Sequence, residues 1–177
     1  MAIMQLSACS VCAALFLAGL STAAGAEDPA WVGSFVSEEQ TDAGIQKAID
    51  DATADMNFLT RSVARGRLKR TNSLHQRIAI TRQVVMIGVR FDERRPIEMP
   101  ADGSLIKWTR EDGEILDVAA RAEEGRLVQT FKAEDGQRVN SFIAEDAERL
   151  TLEVQITSPR LSKPLTYSVR YRRMVGK

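Results

Sequence analysis

The chain contains a single histidine, and its two cysteines, Cys9 and Cys12, both lie near the N-terminus. One histidine excludes a histidine-rich metal centre, and any Ser-His-Asp triad would have to be built on His75. Aromatic residues are scarce, with two tryptophans and two tyrosines among 177 residues. No phosphate-binding glycine loop is present, because the glycines stand singly at turns. Acidic pairs such as Asp50-Asp51 and Glu123-Glu124 are sequence neighbours, so on a helix or strand they point apart. These shortages leave no legible catalytic constellation, and neither an enzyme nor a cofactor is expected.

Charge is missing altogether from Met1 to Ala26. Within that stretch Val11 to Leu20 is an apolar run of about ten residues, the size of a signal-peptide core and short of the ~20 that span a bilayer. Ala24-Gly25-Ala26 fits a small-residue cleavage site. The reading is a signal peptide at 1–26 and one mature domain at 27–177. Cys9 precedes the apolar run, where a lipoprotein peptidase has no use for it. A mature domain of about 150 residues without cysteine suits the bacterial periplasm.

Ser37-Glu38-Glu39-Gln40 has the form of a capping box, and Ile45, Ala48, Ile49, Ala52, Met56, Leu59 and Val63 recur at helical spacing. The pattern predicts one long helix over about 38–65, stopping near Gly66; a break near Asn57 would give two shorter helices. His75 follows in a polar stretch and is expected in an exposed turn. From Arg77 the apolar period falls to two. Asp102-Gly103, Asp112-Gly113, Glu124-Gly125, Asp135-Gly136 and Asp146-Ala147 then recur at the spacing of hairpin-linked strands. Strict alternation in Leu150 to Thr157 and Leu165 to Arg173 means one buried and one wet face. The fold class expected is mainly β (α+β). An antiparallel up-and-down meander of about eight or nine strands forms a barrel or half-barrel with one long N-terminal helix.

Trp31-Val32-Gly33-Ser34-Phe35 as a first strand, then a helix, a long meander and a Tyr/Arg-rich last strand, together resemble the calycin group, the lipocalins and intracellular fatty-acid-binding proteins. The resemblance implies a small barrel holding a hydrophobic or amphiphilic ligand. Fatty-acid-binding proteins hold the ligand carboxylate with an Arg-x-Tyr in the last strand. Tyr167 to Arg173 contains no Arg-x-Tyr, and the resemblance passes that role to Tyr171 and Arg173.

The inner-face candidates for a ligand cavity are Trp108, Phe131, Tyr167 and Tyr171, with Gln129 as a polar handle and Arg173 for an anionic head. A second set is basic. Met56 to Phe91 contains no acid but holds Arg61, Arg65, Arg67, Lys69 and Arg70, which could meet an anionic membrane surface. Nucleic acid is not expected, because stacking aromatics do not interleave these charges. The expectation is a periplasmic, non-catalytic binding protein for a lipidic or amphiphilic anion. The alternative is an envelope interaction protein with a filled core, acting through its basic surface.

Overall fold

The computed structural model describes residues 28–174, and the leader assigned to 1–26 lies outside them. The chain begins with β1 (Gly33–Ser37), α1 (Ala43–Thr53) and α2 (Phe58–Thr71). The strands β2 (Arg77–Arg82), β3 (Met86–Phe91), β4 (Ile97–Pro100), β5 (Ile106–Thr109) and β6 (Ile115–Glu123) follow. Then come β7 (Arg126–Ala133), β8 (Gly136–Ala144), β9 (Arg149–Thr157) and β10 (Leu165–Arg173). All ten strands form one antiparallel sheet in the order β4-β3-β2-β1-β10-β9-β8-β7-β6-β5. Because β1 pairs with both β2 and β10, first and last strands meet and the sheet rolls into a nearly closed barrel. β4 and β5 do not pair with each other, and β4 packs against β6 across the seam.

The antiparallel barrel is the one the turn spacing implied, but two elements differ from expectation. The additional strand is β4, which runs between Pro96 and ends on Pro100. Proline argues against a central strand, yet it is tolerated where a strand lies at a sheet edge, as β4 does. The single helix over 38–65 is instead two helices. Ser37 closes a local turn with Glu39 (3.0 Å), and α1 starts only at Ala43. At its end the buried Thr53 hydroxyl donates back to the Ile49 carbonyl (2.8 Å). Asn57 then caps a new helix by accepting from the Leu59 N–H (2.9 Å). The break rotates the apolar stripe. Ile45, Ile49 and Ala52 face the core, whereas Leu59 and Val63 face solvent, and α2 passes through Gly66 without stopping.

Alternate residues of each strand fill the interior, among them Phe35, Ile78, Val89, Leu127, Phe142, Leu152 and Tyr171, all buried. At the end of the barrel away from the helices, Arg173 closes the wall. Its guanidinium donates to the carbonyls of Val32 (2.9 Å), Ala30 (2.6 Å) and Ala147, and it lies 4.8 Å over the Phe35 ring. Gly33, at φ +145°, leaves the room that a Cβ would take from this guanidinium. Three segments distant in sequence are therefore tied by one charged side chain.

Arg173→Ala should lower stability by about 2 kcal/mol, the scale of hydrogen bonds to a charged group, and Tm by roughly 4–8 °C for a domain of this size. Thermal unfolding followed by circular dichroism checks this; a Tm equal to wild type would show that the three carbonyls are satisfied equally well by water.

Candidate functional site

Ion pairs lay α2 across one end of the barrel. Arg67 reaches Glu114 in the β5–β6 turn (3.4 Å) and Asp135 in the β7–β8 turn (3.6 Å), and Arg160 of the β9–β10 loop shares Asp135 (3.2 Å). Arg94 in the β3–β4 turn meets Glu111 (3.5 Å), joining the two sides of the seam. No residue of α2 is buried, so charge and hydrogen bonds hold this helix more than apolar packing does.

Beneath α2 a belt of polar side chains crosses the interior. Gln129 of β7 donates to the Met99 sulfur of β4 (3.5 Å) and accepts from Asn140 of β8 (3.1 Å). Asn140 in turn accepts from Arg138 Nε (2.8 Å). The other guanidinium nitrogens donate to Asn72 Oδ1 (3.0 Å), the Thr71 carbonyl (3.3 Å) and the Tyr167 hydroxyl (3.3 Å). Tyr167 donates to Asn72 Oδ1 as well (3.1 Å), and Asn72 returns a bond to the Leu68 carbonyl (2.9 Å). The Thr71 carbonyl is one of the orphan acceptors at the C-terminus of α2, where a cation is favoured by the helix dipole. Among the described residues no carboxylate lies within ion-pair distance of Arg138, and every oxygen around it is neutral.

His75 belongs to the same corner, and its expected place in an exposed turn is corrected. Its side chain is only 13 % exposed, bonded through Nδ1 to Asp92 (2.8 Å) and stacked at 4.6 Å on Phe91. Asp92 adopts φ 52° and accepts from the backbone N–H groups of Gln76 and Arg77, which pins the start of β2 to the end of β3. Burial pushes His75 below its ordinary value of 6.5, against the pull of Asp92, and Arg138 and Arg94 add to the depression. For Asp92, burial acts upward, but hydrogen bonds from His75 and from the backbone outweigh it and hold the carboxyl below 3.8.

The residues singled out from sequence are dispersed between belt, core and surface. Trp108 and Phe131 face each other on the inner wall at 5.8 Å, and Gln129 and Tyr167 belong to the belt. Tyr171 is on the inner face but its hydroxyl is committed to the His75 carbonyl (2.9 Å), and burial raises its pKa far above the ordinary value. Arg173 stands apart from all of these, as the staple of the opposite end. Among the basic set, Arg61 bonds the Met56 carbonyl (2.7 Å) and Arg65 bonds Thr53 Oγ1 (2.9 Å) and Asp50 (3.2 Å). Arg67 is held by Glu114 and Asp135, whereas Lys69 and Arg70 make no ion pair among the described residues.

Arg138, Asn140 and Asn72 are absent from the sequence reading. Val139 and Ile143, apolar residues on the outer face of β8, obscure its alternation. The signal was in the register: a two-residue turn at Glu134-Asp135 pairs Ala133 with Gly136, so Arg138 stands opposite Phe131 and Asn140 opposite Gln129, hence on the inner face.

No protein-family model matches the chain, and no curated protein matches its sequence. Solved structures do match its fold. A secretory abundant heat soluble protein from Ramazzottius varieornatus is similar with TM-score 0.58 and 8% identity, covering 83% of this chain and 97% of that one. A fatty-acid-binding protein from brain tissue of Drosophila melanogaster is similar with TM-score 0.51 and 14% identity, over 81% of this chain and 99% of that one. The fatty acid transporter REP1-NXSQ is similar with TM-score 0.52 and 12% identity, over 82% and 97%. The fold is therefore the calycin-like barrel of fatty-acid-binding proteins.

Because the folded value of His75 lies below 6.5, the unfolded chain takes up that proton first. Stability is full above 6.5 and falls as pH drops from there through the folded value. Asp92 acts in a separate window, its contribution present above 3.8 and lost below it. Tm measured between about pH 7 and about pH 5 should slope downward in wild type and flatten in His75→Gln; equal slopes would mean that other groups set the acid limit.

Proposed function

We propose that this protein is an exported, non-catalytic binding protein of the bacterial periplasm. It holds an anionic amphiphile in the mouth of its barrel, with the anion on Arg138. One observation above all supports this reading: a guanidinium on the inner wall whose partners, Thr71, Asn72, Asn140 and Tyr167, are all neutral. A charge without a counter-charge in a poorly solvated place favours an anion over neutral acceptors. A carboxylate or sulfonate accepts from Arg138 Nη2, whose partner is the Tyr167 hydroxyl, while the bonds from Nη1 to Thr71 and Asn72 stay in place. The apolar part of the ligand rests on Trp108 and Phe131. Binding of fatty acids by proteins of the same fold supports the choice of an amphiphile.

The ligand is exchanged at an anionic membrane surface through α2. Phe58, Leu59 and Val63 are 80, 74 and 73% exposed, an apolar patch on the outward side of the helix. Leu59, Val63 and Arg70 recur at i, i+4 and i+11 and so share one face. Lys69 and Arg70 are the cations that meet the headgroups, because Arg61, Arg65 and Arg67 are engaged within the protein. No helix among the described residues is long and apolar enough to cross a membrane, so contact is superficial.

One observation favours the alternative, an interaction protein with a filled core. Phe35, Ile78, Val89, Leu127 and Phe142 are fully buried against one another, so the lower barrel is solid. In that case the exposed face of α2 is the working surface and Arg138 is only the anchor of the helix.

Arg138→Gln should weaken binding of anilinonaphthalene sulfonate, read by its fluorescence, about 10- to 100-fold, the scale of a charge-assisted hydrogen bond. Affinity equal to wild type would take Arg138 out of the site, and a wild type that binds nothing would leave the interaction reading. Changing Lys69 and Arg70 together to glutamate should reduce co-sedimentation with phosphatidylglycerol vesicles at least about tenfold at low salt. Indifference of the vesicle-bound fraction to both charge reversal and salt would remove the membrane contact.

A further inference from the structure

β1 is too short for its partner. It pairs with β10 only at Phe35, Val36 and Ser37, opposite Arg173, Arg172 and Tyr171, although β10 extends back to Leu165. Ser37 is the cause. Its hydroxyl accepts from the Glu39 N–H (3.0 Å) and donates to the Glu39 carbonyl (3.1 Å), which turns the chain out of the sheet. A last bond from the Glu38 N–H to the Arg170 carbonyl (2.9 Å) ends the pairing. Beyond it, toward the helix end of the barrel, α1 rather than a strand lies beside β10.

Strand alternation tells which groups are left over. In an antiparallel strand one residue turns its N–H and C=O to one neighbour, and the next residue turns them to the other. The Arg173 N–H donates toward β9, to the Glu148 carbonyl (2.6 Å). The Met174 N–H and the Arg170 carbonyl instead meet Ser34 and Glu38 on the β1 side. Even-numbered residues of β10 therefore face β1, and Thr166 and Ser168 point their backbone groups where β1 is missing. Among the described residues neither their N–H groups nor their carbonyls have a partner.

These groups border a groove of about 420 Å³ between β10 and α1. Gly44, Ala48 and Ala52 form its opposite side, one face of the helix at i, i+4 and i+8. A Cβ on Gly44 would meet nothing within 4 Å, so the space beside it is open. The groove is bounded at one end by Ser162, which donates to the Ala52 carbonyl (3.2 Å), and at the other by Glu38. Of the charged side chains that line it, Lys47 and Asp51 neutralise each other at 2.7 Å. Lys163 makes no ion pair among the described residues and leaves the groove one positive charge.

We propose that this groove is a second binding site, for an extended polypeptide segment carrying one carboxylate side chain. The segment adds a strand to β10 in the place β1 vacates. About three extended residues span ~10 Å, enough to pair with both Thr166 and Ser168. Main-chain hydrogen bonds supply the affinity, as in other strand additions to an open edge. The small residues of α1 leave room for the segment's side chains, and Lys163 takes the carboxylate. By flanking the edge, α1 also keeps it from pairing with whole sheets of other molecules. Tyr167, between the two edge residues, turns its hydroxyl inward to Asn72 (3.1 Å), so this site does not depend on an anion at Arg138.

Amide exchange and chemical shifts read by nuclear magnetic resonance test the proposal. In the protein alone, the Thr166 and Ser168 amides should exchange at least about 100-fold faster than those of Tyr167 and Val169, which are bonded to β9. A mixture of blocked pentapeptides with aspartate at the centre, at millimolar concentration, should shift the Thr166 and Ser168 amides and slow their exchange. The same mixture N-methylated at alternate residues should do neither. Ser168→Pro removes only an N–H without a partner, Ala48→Leu fills the groove and Lys163→Glu reverses its charge. Each should weaken the peptide effect about five- to tenfold, the scale of one hydrogen bond, with folding checked by thermal melt. Slow exchange at Thr166 and Ser168 in the protein alone would mean that a second copy or the N-terminal segment already covers the edge, and would overturn the proposal. Amides unmoved by the peptides, or moved equally by the N-methylated ones, would overturn it too.

Discussion

One guanidinium, that of Arg138, fastens the wall of the barrel to the corner where α2 gives way to β2. It satisfies the Thr71 carbonyl and Asn72, bonds Tyr167 on β10 and orients Asn140, which in turn orders Gln129 and Met99. Remove the cation and the C-terminus of α2 loses its anchor, while a buried amide chain loses its end. The lower core, the belt and the mouth are defined relative to this one group. An arginine suits the position because its planar fork offers five donors in fixed directions, which a lysine cannot match.

The net charge of the chain is zero, but its distribution is not neutral in effect. The acids Glu111, Glu114 and Asp135 sit in the turns around the mouth, where Arg94, Arg67 and Arg160 meet them. Ion pairs at a surface are individually weak and screened by salt. A helix held mainly by them, with Leu68 as its half-buried apolar contact, belongs to the least stable part of the structure. The solid lower barrel supplies the stability that α2 does not.

Much of the barrel was legible because turns such as Asp112-Gly113 and Glu124-Gly125 punctuate strands of clean alternation, which fixes hairpins and facing; Asp102-Gly103, by contrast, joins β4 to β5, which lie at opposite edges of the sheet and form no hairpin. β4 was hidden by its flanking prolines, whose meaning depends on whether a strand is central or at an edge, and edges are a property of the closed sheet. The break between α1 and α2 at Asn57 was open but undecided, because Leu59 and Val63 continue the numerical spacing of Ile45 and Ile49 across it. Spacing alone does not say that the helix axis has turned. Arg138 was missed for a third reason: on β8 apolar side chains occur on both faces, so only pairing with β7 assigns the inner one. Arg173, by contrast, has the right parity for the interior but lies beyond the end of the core, where it meets carbonyls rather than a cavity.

The sheet order has a kinetic meaning. β1 to β4 form one run of neighbours and β5 to β10 another, and among the described residues the only strand pairing between the runs is β1 with β10, where Phe35 pairs with Arg173. The joint therefore closes between the two most distant strands of the chain, and Arg173 completes it. Such a contact forms late and slowly, because the loop it closes is almost the whole domain. Until β10 is available the two half-sheets have no way to unite, and a growing chain stays open, with its apolar faces in need of shelter, until that strand arrives.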